Sequence, residues 1–159
     1  TLGRIELQSR RPEAALACLR RAAAADAGNP RIYVFLGEAW LALRQWTEAG
    51  LAFQQAIELD PSHAEAHCGR AVVSLRGRNF AEAAESAQAA IVSYQAMPSA
   101  HYYLGVALAS LGDYAQAALS LERAVGLAPE YRPARRRLAR LYEVTLDEPT
   151  RAAEHRRAT

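Results

Sequence analysis

At 159 residues the chain has the length of one ordinary domain or of one stretch of a longer array. A net charge of +2 supplies no global field that would point to nucleic acid or a membrane surface, and no run of 18 apolar residues is present to span a bilayer. With 9 Gly and 7 Pro the chain is not loop-rich or disordered, and its 36 alanines favour closely packed helices.

The opening residues already carry a helical register at Leu2-Gly3. Apolar residues at i, i+3, i+4 and i+7 then give one buried stripe each to helices over 12–25, 31–43 and 47–59. The pattern continues over 65–76, 81–94, 99–111, 115–127 and 133–145, and a short last helix starts near Pro149. Turn signals fall between stripes at Leu43-Arg44-Gln45, Gly77-Arg78-Asn79 and Leu111-Gly112-Asp113. Pro61 and Pro129 prevent the helices before them from continuing.

One period, 34 residues, runs through these elements. Ala15, Ala49, Ala83 and Ala117 keep it, as do Ala22, Ala56, Ala90 and Ala124. Larger residues carry more weight in an alanine-rich chain. Leu2, Leu36, Leu104 and Leu138 share a slot broken only by Arg70, and Gly3, Gly37, Ala71, Gly105 and Ala139 share the next. Trp46, Phe80 and Tyr114 share another, with Pro12 in the same place, and Ile57, Ile91 and Val125 share one more.

These ladders resemble the tetratricopeptide repeat. The unit from Pro30 to Pro61 has Tyr33, Leu36-Gly37, Trp40, Ala49, Phe53, Ala56 and Pro61 in the family's places. The unit from Pro98 to Pro129 has Leu104-Gly105, Ala117, Leu121, Ala124 and Pro129, with His101 and Leu108 in the aromatic places. The resemblance covers essentially the whole chain. It implies an all-α, right-handed superhelical α-solenoid of antiparallel helix pairs. The expected divisions are a partial repeat over 1–29, repeats over 30–63, 64–97 and 98–131, and a partial repeat over 132–159. Small residues let paired helices approach closely, which sets Gly37 against the Ala49 region. The unit 64–97 departs from the pattern, with Arg70 in the leucine slot, Ser74 in an aromatic slot and Ala87 in the phenylalanine slot. That is tolerated drift, with the Arg70 stem on apolar surface and its head in water, or else a looser joint.

Little in the chain points to chemistry. His63 and His67 are four apart beside Glu65 and Cys68, a spacing that can set two metal ligands on one face. However, His67 and His101 fall in the aromatic slot, where packing explains them, so no metal is assigned. Cys18 and Cys68 lack metal or redox spacing and read as small reduced apolar residues. Acidic pairs such as Glu82 and Glu85 read as solvated helix surface. No catalytic residue and no cofactor is assigned. All 19 basic residues are Arg. A GC-rich, bacterial coding sequence accounts for that, with bidentate guanidinium contacts at a few sites as the functional reading.

The resemblance implies that the first helix of each unit lines a concave groove. Its facing residues repeat in rows: Val34, Cys68, Tyr102, Arg136; then Phe35, Gly69, Tyr103, Arg137; then Arg4, Glu38, Val72, Val106, Arg140; then Leu41, Leu75, Ala109, Glu143. The middle of the groove is therefore apolar and aromatic, and its far end carries Arg. Arg132, Arg135, Arg136, Arg137 and Arg140 form a cluster that reads as solvated surface or as a patch for an acidic partner. Nucleic acid is the weaker reading, because no stacking aromatics are interleaved with these residues. A Lys/Asn carboxylate clamp, as some relatives have, is not supported: there is no Lys, and Glu38 stands where Asn would be needed.

The expected function is a scaffold that holds a peptide or protein segment in the groove, its apolar residues followed by acidic ones. The rival is an accessory array of a larger bacterial enzyme whose catalytic part is outside this chain. Self-association through uncapped ends, where Leu2 and Ile5 stand half covered, is a third expectation. Thr1 is preceded by no Met and followed by no signal-like segment, so the chain reads as a piece of a longer protein, with the cytoplasm as default compartment.

Overall fold

The computed structural model describes residues 12–144. Eight helices follow one another within them: α1 (Pro12–Ala25), α2 (Pro30–Ala42), α3 (Trp46–Leu59), α4 (Ala64–Arg76), α5 (Phe80–Ser93), α6 (Pro98–Leu111), α7 (Tyr114–Leu127) and α8 (Arg132–Val144). There is no strand among the described residues. Most bounds begin one residue earlier than the periodicity predicts, and the chemistry of helix starts explains part of this. Pro30 and Pro98 sit at the first helical positions, where a missing N–H leaves no bond unmade. Asn29 caps α2 by accepting the Arg31 N–H at 3.2 Å, and Asp113 caps α7 by accepting the Gln116 N–H at 3.1 Å. The expected helix near Pro149, the register at Leu2-Gly3, Arg4 and the end face at Leu2 and Ile5 lie outside the described residues.

The turn inside each unit is also periodic. Arg44, Arg78 and Gly112 stand 34 apart, and all have positive φ, at 59°, 62° and 90°. Each helix packs on the next. In addition α2 touches α4, α4 touches α6 and α6 touches α8, whereas no two of α1, α3, α5 and α7 touch. Contact between alternate helices on one side alone bends the array, so α2, α4, α6 and α8 lie on the inside of the curve. The result is an all-α solenoid.

What fills the space between helices follows from volume. A Cβ on Gly37 would lie 2.6 Å from the Phe53 ring, so the close contact is made with Phe53 rather than with the Ala49 region. A Cβ on Gly69 would strike the same ring from α4. Phe53, 1% exposed, is thus a wedge from α3 held between glycines of α2 and α4. Two units on, Gly105 faces Leu121 and the Ala117 carbonyl, with Leu121 in the Phe53 slot. In the unit between, Ala71 and Ala87 take the glycine and phenylalanine slots and are both fully buried. A methyl is gained where a ring is lost, which keeps the interior close-packed.

Arg70 departs from the expectation of a solvated head. Its guanidinium is not left in water: it donates to Gln54 Oε1 on α3 and to Glu82 on α5. Ser74, buried in the former aromatic slot, belongs with Asn79 to the same polar group around Glu82. The reading of Glu82 as a solvated carboxylate is therefore corrected. The Arg70 hydrogen bond, with its charge, holds the Glu82 carboxyl below its ordinary range.

Candidate ligand groove

On the inner face of the curve, two depressions lie side by side. One, of about 440 Å³, is lined by Val72, Leu75, Arg76, Tyr102, Tyr103, Val106, Tyr131 and Pro133. The other, of about 210 Å³, includes Glu38, Leu41, Glu65, Cys68, Val72, Met97, Ser99 and Tyr103. Val72 and Tyr103 belong to both, so together they form one groove running across α2, α4 and α6.

Helical register explains why these side chains converge. Glu38, Val72 and Val106 are 34 apart on successive inner helices, and Tyr102 and Tyr103 occupy the neighbouring rows. Tyr102 packs edge-on against Tyr103 at 5.3 Å and against Tyr131 at 5.5 Å between ring centroids. Burial holds the Tyr103 hydroxyl well above the ordinary phenol range. The Arg76 guanidinium lies over the Trp46 ring at 5.3 Å while lining the larger depression.

Cys68 forms part of the floor of the smaller depression. Its thiol donates to Met97 Sδ at 3.4 Å, and burial pushes it up to about 11. A thiol in that state packs and does not react. His67 and His101 do more than pack. Nε2 of His67 donates to the Pro61 carbonyl at 2.8 Å, and Nε2 of His101 donates to the Gln95 carbonyl at 2.9 Å. Since a carbonyl only accepts, Nε2 must carry the proton in both. Arg135 stands in the same slot and donates Nε to the Pro129 carbonyl, which ties it to the turn before α8. His63 Nδ1 lies 3.2 Å from a Glu65 oxygen but forms no aligned hydrogen bond with it. No group of three or more metal-ligating His, Cys, Asp or Glu residues is present among the described residues.

The expected rows are only partly brought together. Glu38, Leu41, Cys68, Val72, Tyr102, Tyr103 and Val106 line the groove. Val34 does not: at 4% exposure it is core, packed with Ala49, Phe53, Ala56 and Ala66, and it offers no anchor to a ligand. Phe35 is half-buried against the cluster of Leu16, Leu19 and Leu36. Arg136 and Arg140 are exposed on α8 and Arg137 is half-buried, and none of the three lines either depression. The rows missed Arg76, Met97 and Tyr131. His63, Met97 and Tyr131 are themselves 34 apart, each just before an inner helix, so the period extended by one slot finds the last two.

The sequence matches a family model described as tetratricopeptide repeat in four overlapping spans, residues 1–64, 41–98, 68–132 and 104–157. Among solved structures, MamA 41-end from Desulfovibrio magneticus RS-1 is similar at 25% identity, covering 98% of this chain and 88% of that one, with a TM-score of 0.82. TTC0263, a thermophilic TPR protein in Thermus thermophilus, is similar at 21% identity, covering 97% and 84%, with a TM-score of 0.81. The Arabidopsis OM64 TPR domain is similar at 25% identity, covering 72% of this chain and 95% of that one, with a TM-score of 0.69. No curated protein matches the sequence.

Proposed function

Because the chain belongs to the tetratricopeptide repeat family, we propose that it holds a segment of another protein in its concave groove. Protein interaction is the general work of such an array, and the repeat fold is typically a non-catalytic scaffold. The observation that carries the groove reading is the pair of depressions joined at Val72 and Tyr103 on the inner face. A concave, largely apolar surface with a few convergent polar groups is where a folded protein takes a ligand. Tyr103, Tyr102, Val72 and Val106 supply apolar and aromatic anchors. Arg136, Arg137 and Arg140, one inner helix further, lie on the side where acidic residues of the ligand would follow.

Capture of partners from native lysate tests the reading. The wild type is compared with Tyr103→Ala and with Leu119→Ala, a change at an outer-helix leucine that is 57% exposed. Tyr103→Ala is expected to weaken a captured partner by about tenfold or more, the usual scale for a buried aromatic anchor. Tyr103→Phe keeps the ring and should bind like the parent or slightly more weakly. If Leu119→Ala abolishes binding while Tyr103→Ala leaves it intact, the ligand sits on the outer face and the groove reading is wrong.

A further inference from the structure

Arg76 breaks the repeat at a slot that opens onto the groove. Its equivalents at the 34-residue period are Ala42, Ser110 and Val144, so the fold asks for no cation there. Arg76 stands in the last turn of α4, one helical turn after Val72, and both side chains line the larger depression. Among the described residues that line that depression Arg76 alone is charged, and none is Asp or Glu. The face of the Trp46 ring, 5.3 Å away at its centroid, positions the guanidinium without using any of its N–H bonds. Neither ion pair found among the described residues includes Arg76. Arg70, six residues earlier on the same helix, is by contrast already paired with Glu82. Burial and the neighbouring Tyr131 raise the Tyr103 hydroxyl while the Arg76 charge pulls it the other way, so guanidinium and hydroxyl share one space. Arg76 is thus an exposed guanidinium, held in place at the wall of an apolar and aromatic depression, with its donors unspent.

We propose that Arg76 receives an acidic side chain of the bound segment, an Asp or Glu two residues from an aromatic or aliphatic residue that enters the depression at Val72 and Tyr103. The proposal rests on the groove reading and adds to it a specificity-determining residue and a ligand pattern. A guanidinium meets a carboxylate through two parallel N–H bonds, which fixes position as well as charge. The spacing follows from α4. Side chains one helical turn apart, as Val72 and Arg76 are, stand about 5–6 Å from each other. An extended ligand rises about 3.3 Å per residue and turns every second side chain to the same side, so residues two apart match that distance. The carboxylate is that of a side chain and not of a chain end. The depression joins the smaller one at Val72 and Tyr103 and reaches Tyr131 and Pro133 on its other side, so a segment lying in it continues past Arg76 in both directions. The three tyrosines could also face a cation, but the Arg76 charge repels one. A single cation in an apolar wall is a poor footing for a polyanion such as nucleic acid.

The test uses four fluorescein-labelled ten-residue peptides in a Ser-rich frame. The first is amidated and has Glu-Ser-Phe-Ser-Glu at its centre, so an acid stands two residues from Phe whichever way the chain lies. The second and third replace both Glu by Gln or by Lys. The fourth keeps Gln but ends in a free carboxylate two residues after Phe. Fluorescence anisotropy at low and at physiological salt is measured for the wild type, Arg76→Met, Arg76→Glu and Tyr103→Ala, with circular dichroism to show that each is folded. The wild type should bind the Glu peptide about threefold or more tightly than the Gln peptide at low salt, with the advantage shrinking as salt rises. Arg76→Met, which keeps an unbranched stem beside Trp46, should bring that ratio to about one. Arg76→Glu should favour the Lys peptide. A merely structural role for Arg76 would shift all affinities together and leave the ratio intact. Equal binding of the Glu and Gln peptides by the wild type, or a preference that survives in Arg76→Met, would overturn the proposal. So would tightest binding of the free-carboxylate peptide, or no measurable binding of any of the four. If the Glu preference is absent but Tyr103→Ala weakens every peptide, the groove reading stands and only the role of Arg76 fails. If Tyr103→Ala leaves every affinity unchanged, both fail.

Discussion

Phe53 and its two glycines show what a single slot can and cannot reveal in sequence. The 34-residue ladder identifies Gly37 as a place of close approach, because glycine or alanine recurs there in every unit. Gly69 has no such ladder: Phe35 and Tyr103 occupy its equivalents, so nothing in the period marks it. Its reason lies across the unit boundary, in a ring from the preceding helix. Gly69→Ala should therefore destabilise the array by about 1–3 kcal/mol, since the buried ring has no free space to yield. Thermal melts would check this, and a melting temperature within error of the wild type would show that the wedge is loose. Arg44 offers the opposite case. It holds φ at 59° where Gly112 sits in the equivalent turn. A non-glycine side chain in the left-handed region costs roughly 1–2 kcal/mol, partly offset in glycine by its greater freedom when unfolded. Arg44→Gly should raise stability by about 0.5–1 kcal/mol, and a drop in the denaturation midpoint would refute the strain argument.

Between elements, one substitution rarely stands alone. Arg70 and Ser74 look like two independent losses from the repeat pattern, and sequence treats them as drift. In space they belong to one polar group with Gln54, Asn79 and Glu82, which joins α3, α4 and α5. Periodicity compares equivalent positions and is blind to this kind of compensation between non-equivalent ones. The pair is testable by pH. The folded-state pKa of Glu82 is depressed, so its contribution is present above the ordinary glutamate value of about 4.3 and is lost as pH falls through the lower folded value. Both side chains are partly exposed, at 25% and 40%, and screening limits the effect to about 0.5–1 kcal/mol. Glu82→Gln should thus melt lower than the wild type at neutral pH, and the gap should close on acidification. A gap that is constant with pH would mean that shape, not charge, holds the joint. The histidines of the aromatic slot teach a similar lesson: pattern places His67 and His101 correctly, but only geometry shows them donating to the turn six residues back.

For the whole molecule, the fold was almost fully legible, because each helix stripe and each turn recurs four times or nearly so. The curve follows from which helices touch, and the family resemblance had already implied that the first helix of each unit lies on its inside. The groove was legible in its middle, where Val72, Tyr102, Tyr103 and Val106 fall in facing rows. It was misread at its start, because a row defined by register cannot tell Val34, sealed beneath neighbours, from Tyr102, open to the groove. Burial at the same slot changes from unit to unit with the size of what packs above it. Among the described residues no contact links helices far apart in sequence: each helix touches only its neighbours and, on the inner side, the next inner helix. Its stability is then close to a sum over adjacent interfaces. Such a molecule behaves as a chain of links in series, and its strength is set by the least of them. The interfaces around α5 combine an alanine in the wedge position with a partly exposed polar group, and α5 buries only Ala83, Ala87 and Ala90. Amide hydrogen exchange should accordingly be fastest, among the interior helices, in α5, and a sharp rise there on acidification would mark it as the place where the array comes apart into two shorter ones.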